Sequence, residues 1–236
     1  MYNRSNEPQG MTLKFTNKTL LIFDLDGTLI NSALDLAVAV NYMLEQLRRD
    51  TFNEEVIHGW VGNGALTLVK RALSGAREVD DNLDEAYVEK ALKIFLDYYE
   101  KNLCNATIPY PQVRETLNTL KEKGYTFAIV TNKPFPFVSP ILKGLGMDEM
   151  FALILGGDSL LEKKPHPQPL LHVCERLEVD VANAVMIGDS KNDILAANAC
   201  GMDSVGVTYG YNYGEEIGVH KPSVIVDDFS ELLAYL

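Results

Sequence analysis

Two acids, Asp24 and Asp26, follow the apolar run Leu20-Leu21-Ile22-Phe23 and lead into Gly27. Charge is costly to bury unless it is paired, hydrogen-bonded or bound to a metal. Acids delivered by an apolar run therefore point to a cation, a reacting group or both. An ionised Asp24 can attack a phosphorus or carbon centre, and Asp26 is placed to exchange a proton with a leaving oxygen. Gly27 permits backbone angles that a side chain would forbid. Taken alone, the pattern also fits a calcium loop or a turn.

Three further groups carry possible chemistry. Asp189 and Asp193, in Gly188-Asp189-Ser190-Lys191-Asn192-Asp193, lie one helical turn apart and share a face. Hard carboxylate oxygens with room for water and phosphate suit Mg²⁺, although Ser190 or Asp189 also fits a helix cap. Thr131-Asn132-Lys133 offers a hydroxyl and free backbone N–H groups at a helix start, a setting for phosphate or for an ordinary cap. In Lys163-Lys164-Pro165, Lys164 can project an ammonium at a phosphate or remain solvated.

The elements that must hold these groups are short apolar runs at Leu20–Phe23, Thr126–Val130, Phe151–Leu155, Ala184–Ile187, Ser204–Val207 and Ser223–Val226. Helical periodicity between the later runs predicts an α/β chain, a Rossmann-like parallel sheet with helices on both faces. Ligands of such sheets sit beyond the carboxyl ends of the strands. Asp24, Thr131 and Asp189 each follow one of these runs.

The alternation breaks over 32–107. There Leu36, Val40, Met43, Leu44 and Leu47, and again Val88, Leu92, Phe95, Leu96 and Tyr99, form amphipathic stripes. This predicts a helical cap at 32–107 inserted into an α/β core made of 1–31 and 108–236. Its origin beside Asp24–Asp26 makes it a candidate lid. Ser32 with Asp35 resembles a capping box.

The bulk composition narrows the function class. A net charge of −12 with no basic stripe argues against nucleic-acid binding, and any phosphate ligand needs local positive charge. Three scattered cysteines favour a reducing compartment. No apolar run is long enough to span a bilayer, so a cytoplasmic location without membrane attachment is expected. Residues before Leu13 read as a loose tail, with Met11 an alternative start.

Together Asp24-x-Asp26-Gly27-Thr28, Thr131, Lys164-Pro165 and Gly188-Asp189-x-x-x-Asp193 resemble the haloacid dehalogenase superfamily of aspartate-nucleophile phosphatases. The resemblance implies that Asp24 becomes an aspartyl-phosphate. Asp26 would protonate the leaving alcohol and then activate water. It implies Mg²⁺ held by Asp24, the backbone carbonyl of Asp26, Asp189 and Asp193, the last directly or through water. Thr131 and Lys164 would hold phosphoryl oxygens, with Lys163 the competitor one position away. Asn132 and Gly27 would add backbone contacts.

Within the predicted cap, Trp60-Val61-Gly62-Asn63-Gly64 looks like the cap of bacterial phosphoglycolate phosphatases. That likeness implies a small phosphorylated metabolite, 2-phosphoglycolate, as substrate. Asn63 and Arg71 would lie at the substrate, with Arg71 or Lys70 to meet its carboxylate and Arg71 the better fork. Asn31 departs from the Asp that many relatives carry there. The alternatives are a sugar phosphomutase of the β-phosphoglucomutase type and a non-catalytic relative that binds a partner. A monomer or a homodimer is expected.

Overall fold

The computed structural model describes residues 15–236, so the expectations about Met11 and the segment before Leu13 lie outside the described residues. In chain order the elements are β1 (Leu20–Phe23), β2 (Ile30–Asn31), α1 (Ala33–Gln46), α2 (Glu54–His58), α3 (Ala65–Ser74) and α4 (Glu85–Tyr99). Then come β3 (Ile108–Pro109), α5 (Val113–Glu122), β4 (Thr126–Val130), α6 (Phe135–Gly144), β5 (Leu153–Leu155) and α7 (Gln168–Arg176). The chain closes with β6 (Ala184–Gly188), α8 (Lys191–Cys200), β7 (Asp203–Val207), β8 (Val224–Val226) and α9 (Leu232–Tyr235).

Six strands form one sheet in the order β5-β4-β1-β6-β7-β8, and every pairing in it is parallel. The central strand β1 is fully buried because both faces are covered. Leu21 and Phe23 enter one hydrophobic cluster, while Leu20 and Ile22 enter the other. This is the two-residue alternation of a strand expressed as two separate cores. Phe23 pairs with Ile129 of β4 and Ile187 of β6. The three strands therefore end level, and the winding reverses around β1, where open α/β sheets bind ligands.

Helices α1 to α4 lie between β2 and β3, and these two short strands pair antiparallel, Asn31 opposite Ile108. The chain thus leaves for the helical insert and returns through one narrow ribbon. Expected stripes are realised on α1 and α4: Leu36, Val40, Met43 and Leu44 are buried, as are Val88, Phe95 and Tyr99.

The expected capping box at Ser32 does not form. Ser32 Oγ donates to Asp26 at 2.6 Å instead. Asp35 accepts from the backbone N–H of Ala106 at 3.0 Å, and from the N–H and hydroxyl of Thr107 at 2.8 and 2.7 Å. Both side chains found stronger tertiary partners than the helix end could offer. Asp35 ties the returning chain to the start of α1. Replacing it with Ala strands these buried donors and should destabilise the fold by about 1–3 kcal/mol in urea unfolding. No helix of the described residues is long and apolar enough to cross a membrane.

Candidate active site

Asp24 leaves the end of β1 as a buried carboxylate. Its Oδ1 accepts from the N–H of Leu25 at 2.7 Å and lies 3.1 Å from Lys164 Nζ. Its Oδ2 accepts no hydrogen bond from the described residues, which leaves lone pairs free for reaction. Burial pushes this carboxyl up to about 7; Lys164 opposes that rise and Asp193 adds to it.

Asp189 and Asp193 stand behind Asp24, at the end of β6 and in the first turn of α8. Asp189 accepts from Thr28 Oγ1 at 2.8 Å and from the N–H of Tyr211 at 2.6 Å. Burial first, then Asp193 and Asp24, holds its carboxyl well above the usual range. The Asp193 carboxylate is fully engaged: Oδ1 takes Lys164 Nζ at 2.5 Å, and Oδ2 takes the N–H and hydroxyl of Ser190 at 3.0 and 2.9 Å. The capping box of α8 and a buried ion pair thus share one side chain.

Oxygens of Asp24, Asp189 and Asp193 lie within 4.8 Å of one another. Three buried acids face one lysine, an excess of negative charge that a divalent cation would neutralise. The donors are all hard oxygens, the set that suits Mg²⁺. The group fits, with Asp24 and Asp189 the less encumbered donors. Gly27 sits at φ +91°, and a Cβ there would lie 2.4 Å from Asp189 Oδ2. The turn after Asp26 can therefore press onto Asp189 only as glycine.

Asp26 is held on the opposite side by a lysine that the sequence pattern did not single out. Lys133 Nζ lies 3.0 Å from both Asp26 oxygens and donates to Tyr99 Oη at 2.8 Å. Burial alone would lower the Lys133 ammonium, but Asp26 and Tyr99 outweigh it and raise its pKa. The one available signal was position: Lys133 follows Thr131-Asn132 at the reactive edge.

These groups face a small cavity of about 40 Å³. Asp24, Asp26, Thr131, Asn132 and Lys133 form its polar side; Leu36, Val61, Leu68 and Phe95 of the helical insert help to form its apolar side. Apolar residues of the insert thus stand opposite the polar edge that carries Asp24 and Asp26.

Of the insert residues expected at the substrate, neither Asn63 nor Arg71 lines the cavity beside Asp24. Both line a second, wider cleft, which Lys163, Lys164 and His166 also line. Arg71 donates from Nη1 to Trp60 O at 2.6 Å and from Nε to Arg77 O at 2.9 Å. Two of its donors are thus spent on backbone of its own unit, and none of its bonds reaches Asp24 or Asp26. Trp60 is buried edge-on against Phe52. The neighbouring lysines also separate: Lys164 enters the acid cluster, whereas Lys163 Nζ donates to Asn63 O at 2.8 Å. Asn31 accepts from the Ala33 N–H at 3.1 Å and from Tyr211 Oη at 3.0 Å, so it orders the entry to α1.

The chain is similar to known proteins over most of its length. A family model described as haloacid dehalogenase-like hydrolase matches residues 21–207. A protein of Colwellia psychrerythraea named phosphoglycolate phosphatase is 53% identical over 95% of this chain and 99% of its own length. One of the same name from Haemophilus influenzae Rd is 46% identical over 94% of this chain and 99% of its own. The crystal structure of a predicted phosphoglycolate phosphatase from Haemophilus somnus 129PT superposes with a TM-score of 0.87 at 43% identity, covering 95% of this chain and 99% of that one.

Proposed function

The chain belongs to the haloacid dehalogenase-like hydrolase family, and on that premise we propose that it hydrolyses 2-phosphoglycolate to glycolate and phosphate. The observation that carries the reading is Asp24, whose Oδ2 accepts no hydrogen bond from the described residues, at a cavity that Asp26 and Lys133 also line. Oδ2 of Asp24 attacks phosphorus, and the bond from phosphorus to the glycolate oxygen breaks. Asp26 gives a proton to that oxygen as it leaves. Asp26 then takes a proton from the water that splits the aspartyl-phosphate, and inorganic phosphate is released. Ser32 and Lys133 fix the Asp26 carboxylate for both transfers.

Asp24, Asp189 and the backbone carbonyl of Asp26 would hold Mg²⁺. When bound, the ion supplies the charge neutralisation that lets an anionic nucleophile meet a phosphate. Asp193 acts mainly through Lys164, which it pins beside Asp24. Lys164 and the Thr131–Asn132 edge hold the phosphoryl oxygens. The helical unit at 32–107 serves as the cap, and the core at 1–31 and 108–236 carries the chemistry. Lys133 is the only cation lining the cavity among the described residues, and with its N–H groups held by Asp26 and Tyr99 it would act on the substrate carboxylate by its charge. The free thiols of Cys104, Cys174 and Cys200 suit the cytoplasm.

The test is a panel of phosphate esters ranked by kcat/KM with Mg²⁺ and again with EDTA. 2-Phosphoglycolate should rank first, and EDTA should stop turnover. In Lys133→Met, KM for 2-phosphoglycolate should rise more than KM for p-nitrophenyl phosphate, which lacks the carboxylate. A flat ranking, or conversion of glucose 1-phosphate to glucose 6-phosphate, would replace the proposed substrate.

A further inference from the structure

The loops that bring chemistry to the sheet edge also reach the turn Gly62–Asn63 of the helical insert. Asn132, next to Thr131, donates from Nδ2 to Gly62 O at 3.1 Å. Asn192, next to Asp193, donates to the same carbonyl at 3.2 Å. Lys163, next to Lys164, donates to Asn63 O. The fourth loop binds Asp189 through the N–H of Tyr211 and, two residues on, presents Tyr213. Tyr213 Oη donates to Asn63 Oδ1 at 2.8 Å and accepts from Asn192 Nδ2 at 3.1 Å.

The turn is shaped for this contact. Gly62 sits at φ +117°, and a Cβ on it would stand 2.5 Å from Tyr213 Oη. Only a residue without a side chain lets the hydroxyl come so near. Arg77 of the insert grips the tyrosine from its other side: Nη1 donates to Tyr213 O at 3.0 Å, and the guanidinium lies 4.8 Å from the ring centre. Lys191 lies 5.3 Å from the ring centre. A cation-lined socket around a buried ring fixes where the hydroxyl points.

We propose that Tyr213 is a positioning residue for the reaction, joining Asn63 to Asn192 and so locking the Gly62–Asn63 turn against the loops that carry Thr131, Lys164, Asp189 and Asp193. This rests on the phosphatase reading, and it deepens that reading by naming what registers the insert on the core. The loops that carry Thr131, Lys164 and the Asp189–Asp193 pair are each fixed by a neighbouring residue to the same two residues of the insert, and the loop of Tyr213 joins them there. Closure therefore sets the relative placement of all four loops at once. Movement of the insert away from the core for substrate entry or product release would break this lock, and its return would re-form it.

Tyr213→Phe keeps the ring between its cations and removes only the hydroxyl. Amide hydrogen exchange in the segment 60–66 should quicken severalfold in this variant while the thermal midpoint of the whole protein is unchanged. kcat/KM for 2-phosphoglycolate should fall about tenfold. Asn63→Ala should act in the same direction, and the double variant should be no worse than Tyr213→Phe alone, because the bond that Asn63→Ala removes is already gone in it. Unchanged exchange in 60–66, or losses that multiply in the double variant, would overturn the proposal. If the wild-type protein leaves 2-phosphoglycolate intact, the substrate assignment falls, while the exchange measurement still decides the role of Tyr213.

Discussion

Asp24→Asn should lower kcat by at least about a thousandfold while leaving the protein folded. The amide has nearly the shape of the carboxylate, and its oxygen can still accept the Leu25 N–H that Asp24 accepts at 2.7 Å. What disappears is the anionic lone pair at Oδ2, the atom that no other described residue engages. An acid quench during turnover should trap phosphate on the peptide containing Asp24 in the wild-type protein and none in the variant. Circular dichroism and the thermal midpoint report the fold separately. Turnover by Asp24→Asn in Mg²⁺ at a wild-type rate would remove Asp24 from bond-making altogether.

Lys164→Met should cost about 3–5 kcal/mol of stability, because it removes the shared partner of two buried carboxylates. The Lys164 side chain is 1% exposed, lying 2.5 Å from Asp193 and 3.1 Å from Asp24. Methionine fills similar space, so packing loss is a minor part of the effect. Its neighbour supplies the control. Lys163 meets a backbone carbonyl and forms no ion pair among the described residues, and Lys163→Met should cost only about 0.5–1.5 kcal/mol. Urea unfolding of both variants at one pH measures the difference. Equal costs would show that the Lys164 ion pairs contribute little to the fold. Activity should follow the same order, since Lys164 alone of the two stands beside Asp24.

Much of the fold was legible because it is local. Leu20–Phe23 and Thr126–Val130 are apolar runs bounded by polar residues, and both form strands over those residues. At the sheet edge β5 begins at Leu153, two residues later than the apolar run, because it pairs only with β4 and Ala128 meets Leu153. Asp24, Thr131 and Asp189 were legible from their places after strands, Asp193 from its helical spacing to Asp189, and Lys164 from its place before Pro165.

What stayed hidden depends on long-range partners. Lys133 looks like a solvated lysine at a helix start until Asp26, 107 residues away, and Tyr99, 34 residues away, close around it. Ser32 and Asp35 have the spacing of a cap, yet Asp26 and Thr107 claim them. Arg71 has the charge to meet a carboxylate, but carbonyls of its own unit lie nearer. Tyr213 gave no signal, since its partners come from two separate parts of the chain.

The ribbon of β2 and β3 has a consequence for how such a molecule can diversify. Only Ile30–Asn31 and Ile108–Pro109 join the insert to the sheet at this point, and Asp35 ties the neck from within the insert. No strand of the six-stranded sheet passes through the insert. A gene rearrangement that exchanged everything between the two arms would leave the acids, Thr131 and Lys164 on an uninterrupted scaffold. The joint that such an exchange would have to preserve is two residues wide on each arm.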